Sequence, residues 1–182
     1  KWVIVDTGVS DDRSQDGWRN ILDGELSGSE ISKIIVTHYH PDHIGNADWL
    51  SKRSLASVWM SSSEFLTAHA VFDKTATHSA QATGALFRQH GLPDDEVDSV
   101  SAKGDHYKAL VRSLPTSFLR ITNGETLDVG ESSWQIIVGS GHSPEHLSLF
   151  CETEQVLISG DMLLPKISTN VAVWPYSSES NP

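Results

Sequence analysis

His38, His40, Asp42 and His43 put four metal-ligating side chains within six consecutive positions, directly after the strand-like run Lys33-Ile34-Ile35-Val36-Thr37. Imidazole and carboxylate together suit zinc, iron or manganese, and a catalytic metal needs three or more such groups converging on one point. Two further residues follow the same grammar. His142 comes after Val138-Gly139-Ser140-Gly141 and Asp161 after Ile158-Ser159-Gly160: an apolar run, a small-residue bend, then a ligand type. Loops at strand ends on a rigid scaffold can present such groups without burying an unpaired charge. Taken alone, the first cluster would also fit a solvated His-rich turn. Six candidate ligands at three such places point instead to a metal site.

Positioning these groups requires strands that end where the ligands begin. Residues 2–5 form a β-branched run stopped by Asp6-Thr7-Gly8, a strand feeding a turn. Residues 15–26 carry Trp18, Ile21, Leu22 and Leu26 at helical spacing, with Ser14 or Asp16 as the cap. A strand over 34–36 delivers the histidine cluster, and a helix over 44–52 follows it. Residues 58–60 read as a brief strand, after which Ser61, Ser62 and Ser63 cap a helix holding Phe65, Leu66 and Ala70. Residues 78–112 read as helical throughout, broken at Gly91-Leu92-Pro93-Asp94. Beyond Leu114-Pro115 the period becomes that of strands, over 118–121, 127–129, 134–138, 146–151 and 156–158, with a turn at Asn123-Gly124. The expectation is one domain over residues 1–182 with a helical insert at 78–115.

Composition narrows the partners. A chain of 182 residues, 38% hydrophobic, can bury one sizeable core. With 24 acidic against 13 basic residues and a formal charge of −11, a phosphate-neutralising surface would have to be a local patch, so nucleic acid is disfavoured. The acid excess fits attraction of divalent cations and fits plain solubility equally. Cys151 is the sole cysteine and sits in a strand-like run, which makes it a buried, inert thiol and rules out an intramolecular disulfide. A reducing, cytoplasmic location is the expectation, and no apolar run reaches the eighteen residues that a membrane span requires. The chain begins at Lys1 almost inside a strand and ends in Ser177-Ser178-Glu179-Ser180-Asn181-Pro182, which reads as a loop, so both ends are taken as truncations.

The segments Val5-Asp6-Thr7-Gly8, His38-x-His40-x-Asp42-His43-x-Gly45, Gly141-His142-Ser143-Pro144-Glu145-His146 and Ser159-Gly160-Asp161, in this order, resemble the metallo-β-lactamase fold superfamily of metal-dependent hydrolases. The resemblance implies a four-layer αββα sandwich, α/β in class, with two mixed sheets face to face, helices outside, and metals at one edge. It also implies that His38, His40 and His142 form a three-histidine site, that Asp42 and His43 serve a second metal, and that Asp161 bridges the pair. The superfamily completes the second site with a further histidine, and none follows His146 in this sequence. Either that ligand lies beyond Pro182 or one metal suffices. Two divalent ions about 3.5 to 4 Å apart can share a water and present hydroxide near neutral pH, so no serine or cysteine nucleophile is required. Asp42 would orient that hydroxide. Asp6, Thr37 and Ser143 are the candidates to hydrogen-bond the outer nitrogens of the ligating imidazoles.

Within the superfamily, departures direct the choice. Cys151 does not fall at the cysteine slot of the secreted zinc β-lactamases, His40 departs from the H-x-E-x-D pattern of the flavin-linked reductases, and Met162-Leu163-Leu164-Pro165 stands where acyl-homoserine lactonases carry a tyrosine a few residues after the bridging aspartate. What remains resembles the glyoxalase II-like group. Hydrolysis of a thioester or ester by metal-bound hydroxide, with one or two zinc ions or else iron or manganese, is the expectation. A lactone or β-lactam is the alternative substrate, and a non-catalytic or redox member of the fold the alternative class. The substrate is a small molecule, and a homodimer is compatible. His146 is read as outside the ligand set, with a supporting role as the alternative, while His69, His78, His90 and His106 are read as surface groups. Whether Glu145 touches the substrate stays open. Trp18, Trp49, Trp59 and Trp134 are read as core, and Trp174 as either pocket wall or core. Lys103, Lys108 and Arg112 could meet an acidic substrate group or form a solvated helix face.

Overall fold

In the computed structural model, which describes residues 1–102 and 106–175, the chain builds two four-stranded sheets. The first is all parallel, ordered β1 (Trp2–Val5), β2 (Ile31–Ile35), β3 (Ser57–Met60), β4 (Leu119–Arg120). The second is an antiparallel meander of β5 (Thr126–Val129), β6 (Ser132–Gly139), β7 (His146–Cys151) and β8 (Val156–Ile158). Parallel and antiparallel pairing are therefore divided between the sheets rather than mixed within either. The cause is connectivity. Helices α1 (Asp12–Asp23), α2 (Pro41–Ile44), α3 (Ala47–Ser54), α4 (Ser62–Phe72), α5 (Ala80–Gln89), α6 (Asp94–Ala102) and α7 (His106–Leu110) make crossovers between β1 and β4, and crossovers enforce parallel pairing. The later strands are joined by short turns after β5 and β7 and by the loop 140–145 between β6 and β7.

Residue alternation along the strands defines the layers. Ile4, Ile34, Val58 and Met60 pack under the helices together with Ile44, Leu50 and Ala68. Val3, Val5, Ile35 and Trp59 point the other way, onto Leu127, Ile136, Leu147 and Leu149 of the second sheet. Burial on both faces explains why β2 reads as continuously apolar at Ile34-Ile35-Val36. Trp18 and Trp49 pack on the helix side and Trp59 and Trp134 between the sheets, and Cys151 is fully buried. No helix of the described residues is long and apolar enough to cross a membrane.

Local chemistry shifts two helices from their expected bounds. The cap of α1 is Asp11, which accepts a hydrogen bond from the Ser14 backbone N–H at 2.6 Å, so the helix starts before the residues expected to cap it. The expected helix over 44–52 is two helices: α2 opens at Pro41, a residue suited to a first helical position, and α3 restarts at Ala47.

Candidate metal centre

The C-terminal ends of β1, β2 and β3 lie side by side because the strands are parallel, and ligand-bearing loops gather at that edge of such sheets. β1 delivers Asp6, β2 delivers Thr37 through His43, and β3 delivers α4. From the second sheet, the loop after β6 brings His142 and the 3₁₀ turn Gly160–Met162 after β8 brings Asp161. Asp6 adopts a left-handed backbone, φ 59°, which turns its carboxylate back onto the next strand. There it accepts hydrogen bonds from the Thr37 backbone N–H at 2.8 Å and from Thr37 Oγ1 at 2.9 Å, and pairs with His43 Nδ1 at 2.8 Å.

The ring nitrogens converge. His38 Nε2 lies 2.9 Å from His40 Nδ1 and 3.2 Å from His142 Nε2, and Asp161 Oδ2 lies 3.4 Å from His142 Nε2. These spacings match the edge of a tetrahedron, about 3.3 Å when each donor sits about 2.0–2.1 Å from a central zinc. The outward nitrogens are engaged as well. His142 Nδ1 donates to the carbonyl oxygen of Asn170 at 2.9 Å, which turns Nε2 inward. Thr37 Oγ1 sits 3.0 Å from His38 Nδ1. His38, His40, His142 and Asp161 thus form one group that could hold an ion, and Asp42, His43 and Asp161 a second, each with its ligand atoms within 4.8 Å of one another. Asp161 belongs to both. Its Oδ1 faces His43 Nε2 at 3.4 Å, and Asp42 Oδ2 faces the same nitrogen at 3.5 Å.

Electrostatics separates the imidazoles. Burial, reinforced by the neighbouring His142, holds His40 down at about 4, and burial holds His146 at about 4. Burial and the adjacent His43 push His38 far below the usual range. His43 goes the other way: burial opposes its charge, but the Asp42 and Asp6 carboxylates prevail and raise it to about 10. The same contact with His43 lowers the Asp42 carboxyl. In the metal-free protein the two sets of histidines act on stability in opposite directions. The contribution of His40 and His146 is complete above the unfolded value of 6.5 and is lost as pH falls towards 4, since only the unfolded chain takes up those protons there. That of His43 is complete below 6.5 and is lost as pH rises towards 10. Thermal melts of the metal-free protein are expected to peak near neutral pH and fall on both sides. A melting temperature rising steadily from pH 5 to pH 9 would contradict this balance.

Other residues take positions that the sequence anticipated only in part. Ser143 bonds no imidazole; its hydroxyl donates to Glu64 Oε1 at 2.7 Å, because the Asn170 carbonyl already occupies His142 Nδ1. His146 is fully buried, and its Nε2 accepts from the Asp161 backbone N–H at 3.1 Å. Gly160 makes that approach possible, since a Cβ there would come within 2.5 Å of the His146 ring. His90 and His106 are exposed, whereas His78 is half-buried and His69 is half-buried with Nε2 3.0 Å from the Pro115 carbonyl. Arg112 pairs with Asp12 at 2.9 Å and Lys108 lies 4.5 Å over the Phe72 ring, so both are engaged within the protein; Lys103 lies outside the described residues. Glu145 Oε2 accepts from the Ser63 backbone N–H at 3.2 Å, at the start of α4. Trp174 stands near the centre, its ring 6.5 Å from that of Tyr39, which in turn is 4.6 Å from His40.

Comparison with known proteins accords with this architecture. The metallo-beta-lactamase superfamily model matches residues 1–181. The probable metallo-hydrolase YqjP of Bacillus subtilis (strain 168) is 27% identical over 143 residues, which cover 78% of this chain and 43% of that protein. A beta-lactamase domain protein from Burkholderia ambifaria superposes with a TM-score of 0.82 at 35% identity, over 95% of this chain and 48% of that one. A metallo-beta-lactamase family protein from Thermus thermophilus gives 0.73 at 29% identity, over 96% and 55% respectively. The chain therefore spans about half the length of these relatives. By sequence along nearly its whole length, and by the two sheets that carry its histidine and aspartate loops, the chain belongs to the metallo-β-lactamase superfamily.

Proposed function

We propose that this chain carries the zinc-binding edge of a metallo-hydrolase that cleaves an activated carbonyl, an ester or thioester in the first instance. Three imidazoles and a carboxylate from three separate strand ends meet at one point, and that convergence supports the assignment above all else. The name of YqjP, a probable metallo-hydrolase, agrees with it. A divalent ion bound there supplies Lewis acidity, lowering the pKa of its water towards 7 and polarising the carbonyl under attack.

The chain's own residues do the rest. His38 and His40 offer neutral nitrogens, kept so by burial, and the Asn170 carbonyl fixes the orientation of the His142 ring. The Asp161 carboxylate is shared by the two ligand groups and would offset the repulsion between two cations held there. Asp42 is the most open of the set, its side chain 66% exposed, and can orient the attacking water at the mouth of the site. Zinc is the metal favoured by three histidines and one carboxylate at tetrahedral spacing. Stripping the full-length protein with a chelator is expected to remove turnover of nitrophenyl esters and thioesters, and added zinc to restore it. Preference for a lactone or β-lactam in the same screen would change the substrate class. No metal-dependent turnover of any of the four would end the hydrolase assignment.

A further inference from the structure

Glu64 is the fully buried acid next to this edge, and its bonds reach both histidine loops. Within Ser61-Ser62-Ser63-Glu64 it stands where a capping box would turn the carboxylate back on its own helix. Its oxygens go elsewhere. Oε2 accepts from the Tyr39 backbone N–H at 2.9 Å, and Tyr39 lies between His38 and His40. Oε1 accepts from Ser143 Oγ and from the Glu145 backbone N–H, both at 2.7 Å, and Ser143 follows His142. Tyr39 is held on its other side too, since Tyr107 donates its hydroxyl proton to the Tyr39 carbonyl at 2.6 Å. The start of α4 adds to the grip on the second loop, Ser61 Oγ donating to the Glu145 carbonyl at 3.0 Å.

Among the described residues no lysine or arginine pairs with Glu64, so three hydrogen bonds alone offset the cost of burying this acid. A hydrophobic residue would fill α4 at lower cost. What a carboxylate adds is a planar, two-oxygen bridge between loops from different sheets. We propose that Glu64 is a positioning residue, fixing the His38-Tyr39-His40 loop against the His142 loop so that their nitrogens keep the spacing that holds a metal ion. This rests on the metal-site reading above.

Glu64→Gln tests it, because the amide NH₂ must face at least one of the three donors whichever way it is turned. In the full-length protein the zinc dissociation constant, measured against a chromophoric chelator, is expected to rise about 10- to 100-fold, as for other residues that orient ligands. The visible spectrum of the cobalt-substituted protein is expected to shift with it. Ser143→Ala, which keeps the carboxylate and both backbone donors, should raise the constant about 3-fold or more, and the double variant should bind about as weakly as Glu64→Gln, since the two act through one bond. A folded Glu64→Gln protein that melts earlier yet keeps wild-type zinc affinity and cobalt spectrum would reduce Glu64 to a packing role and overturn the proposal. If Glu64→Gln does not fold, Ser143→Ala decides, and unchanged zinc affinity there overturns it equally. Wild-type protein that binds no zinc would bring down the site reading itself, an outcome distinct from either.

Discussion

Replacing His40 with alanine is expected to lower metal-dependent kcat/KM by about 10³-fold or more while leaving the protein folded. A loss of that size is about 4 kcal/mol of transition-state stabilisation, the scale set by removing a group on which the reaction centre depends. His40 is the most informative of the three histidines because it is only half-buried and faces two other imidazoles, at 2.9 Å from His38 Nε2 and with ring centroids 4.6 Å from His142. Its removal leaves no dry cavity and relieves crowding in the metal-free state. His38 is fully buried and packs at ring-centroid distances of 4.0 Å from His43 and 4.7 Å from His146, so its removal would confound folding with metal loss. Circular dichroism, zinc content and turnover, read on the same preparation, separate the two effects. Zinc content and turnover both at wild-type level in His40→Ala would contradict the assignment.

Gly45→Ala is expected to destabilise the protein by about 3 kcal/mol or more, a fall in melting temperature of roughly 10 °C for a chain of this size. A Cβ at this position would lie 2.5 Å from the Gly8 and Pro41 carbonyl oxygens and 2.8 Å from the Ser10 nitrogen. All three are backbone atoms, so no side chain can swing aside. The contact exists because the turn after β1 is laced onto the α2–α3 junction. Thr7 N and Oγ1 donate to the His43 carbonyl at 2.8 and 2.7 Å, and Asn46 Nδ2 donates to the carbonyls of Thr7 at 3.0 Å and Val9 at 2.7 Å. Forcing these segments apart would move Asp6 and His43 together. Gly17→Ala provides the control: this glycine is exposed within α1 with nothing within 4 Å of the added carbon, and the change should stabilise by about 0.5–1 kcal/mol. Equal chemical-denaturation midpoints for Gly45→Ala and wild type would show that the turn yields where the structure says it cannot.

The ligand types were legible because His38, His40, Asp42 and His43 are packed into one turn, and because His142 and Asp161 each follow an apolar run and a small-residue bend. Strand positions followed from apolar periodicity, and the strand ends are where the candidate ligands begin. What surrounds the candidate ligands was not legible. Glu64 reads locally as a helix-capping residue, yet its carboxylate reaches Tyr39 at a separation of 25 residues and Ser143 at 79. Ser143, adjacent to His142, looked like its hydrogen-bond partner, but the Asn170 carbonyl 28 residues away takes that place. Likewise the break at Gly45-Asn46 depends on the turn at Thr7–Val9, which no local propensity reports.

The sequence by itself determined which chemistry was available and on which elements it would ride, because residue type and periodicity are local properties set by spacing along the chain. Only the tertiary structure decided which acid braces which loop, which carbonyl orients His142 and which neighbours set the charge of His43. A buried polar group takes whichever partner packing brings within about 3 Å, and that choice depends on distances across sheets, not along the backbone.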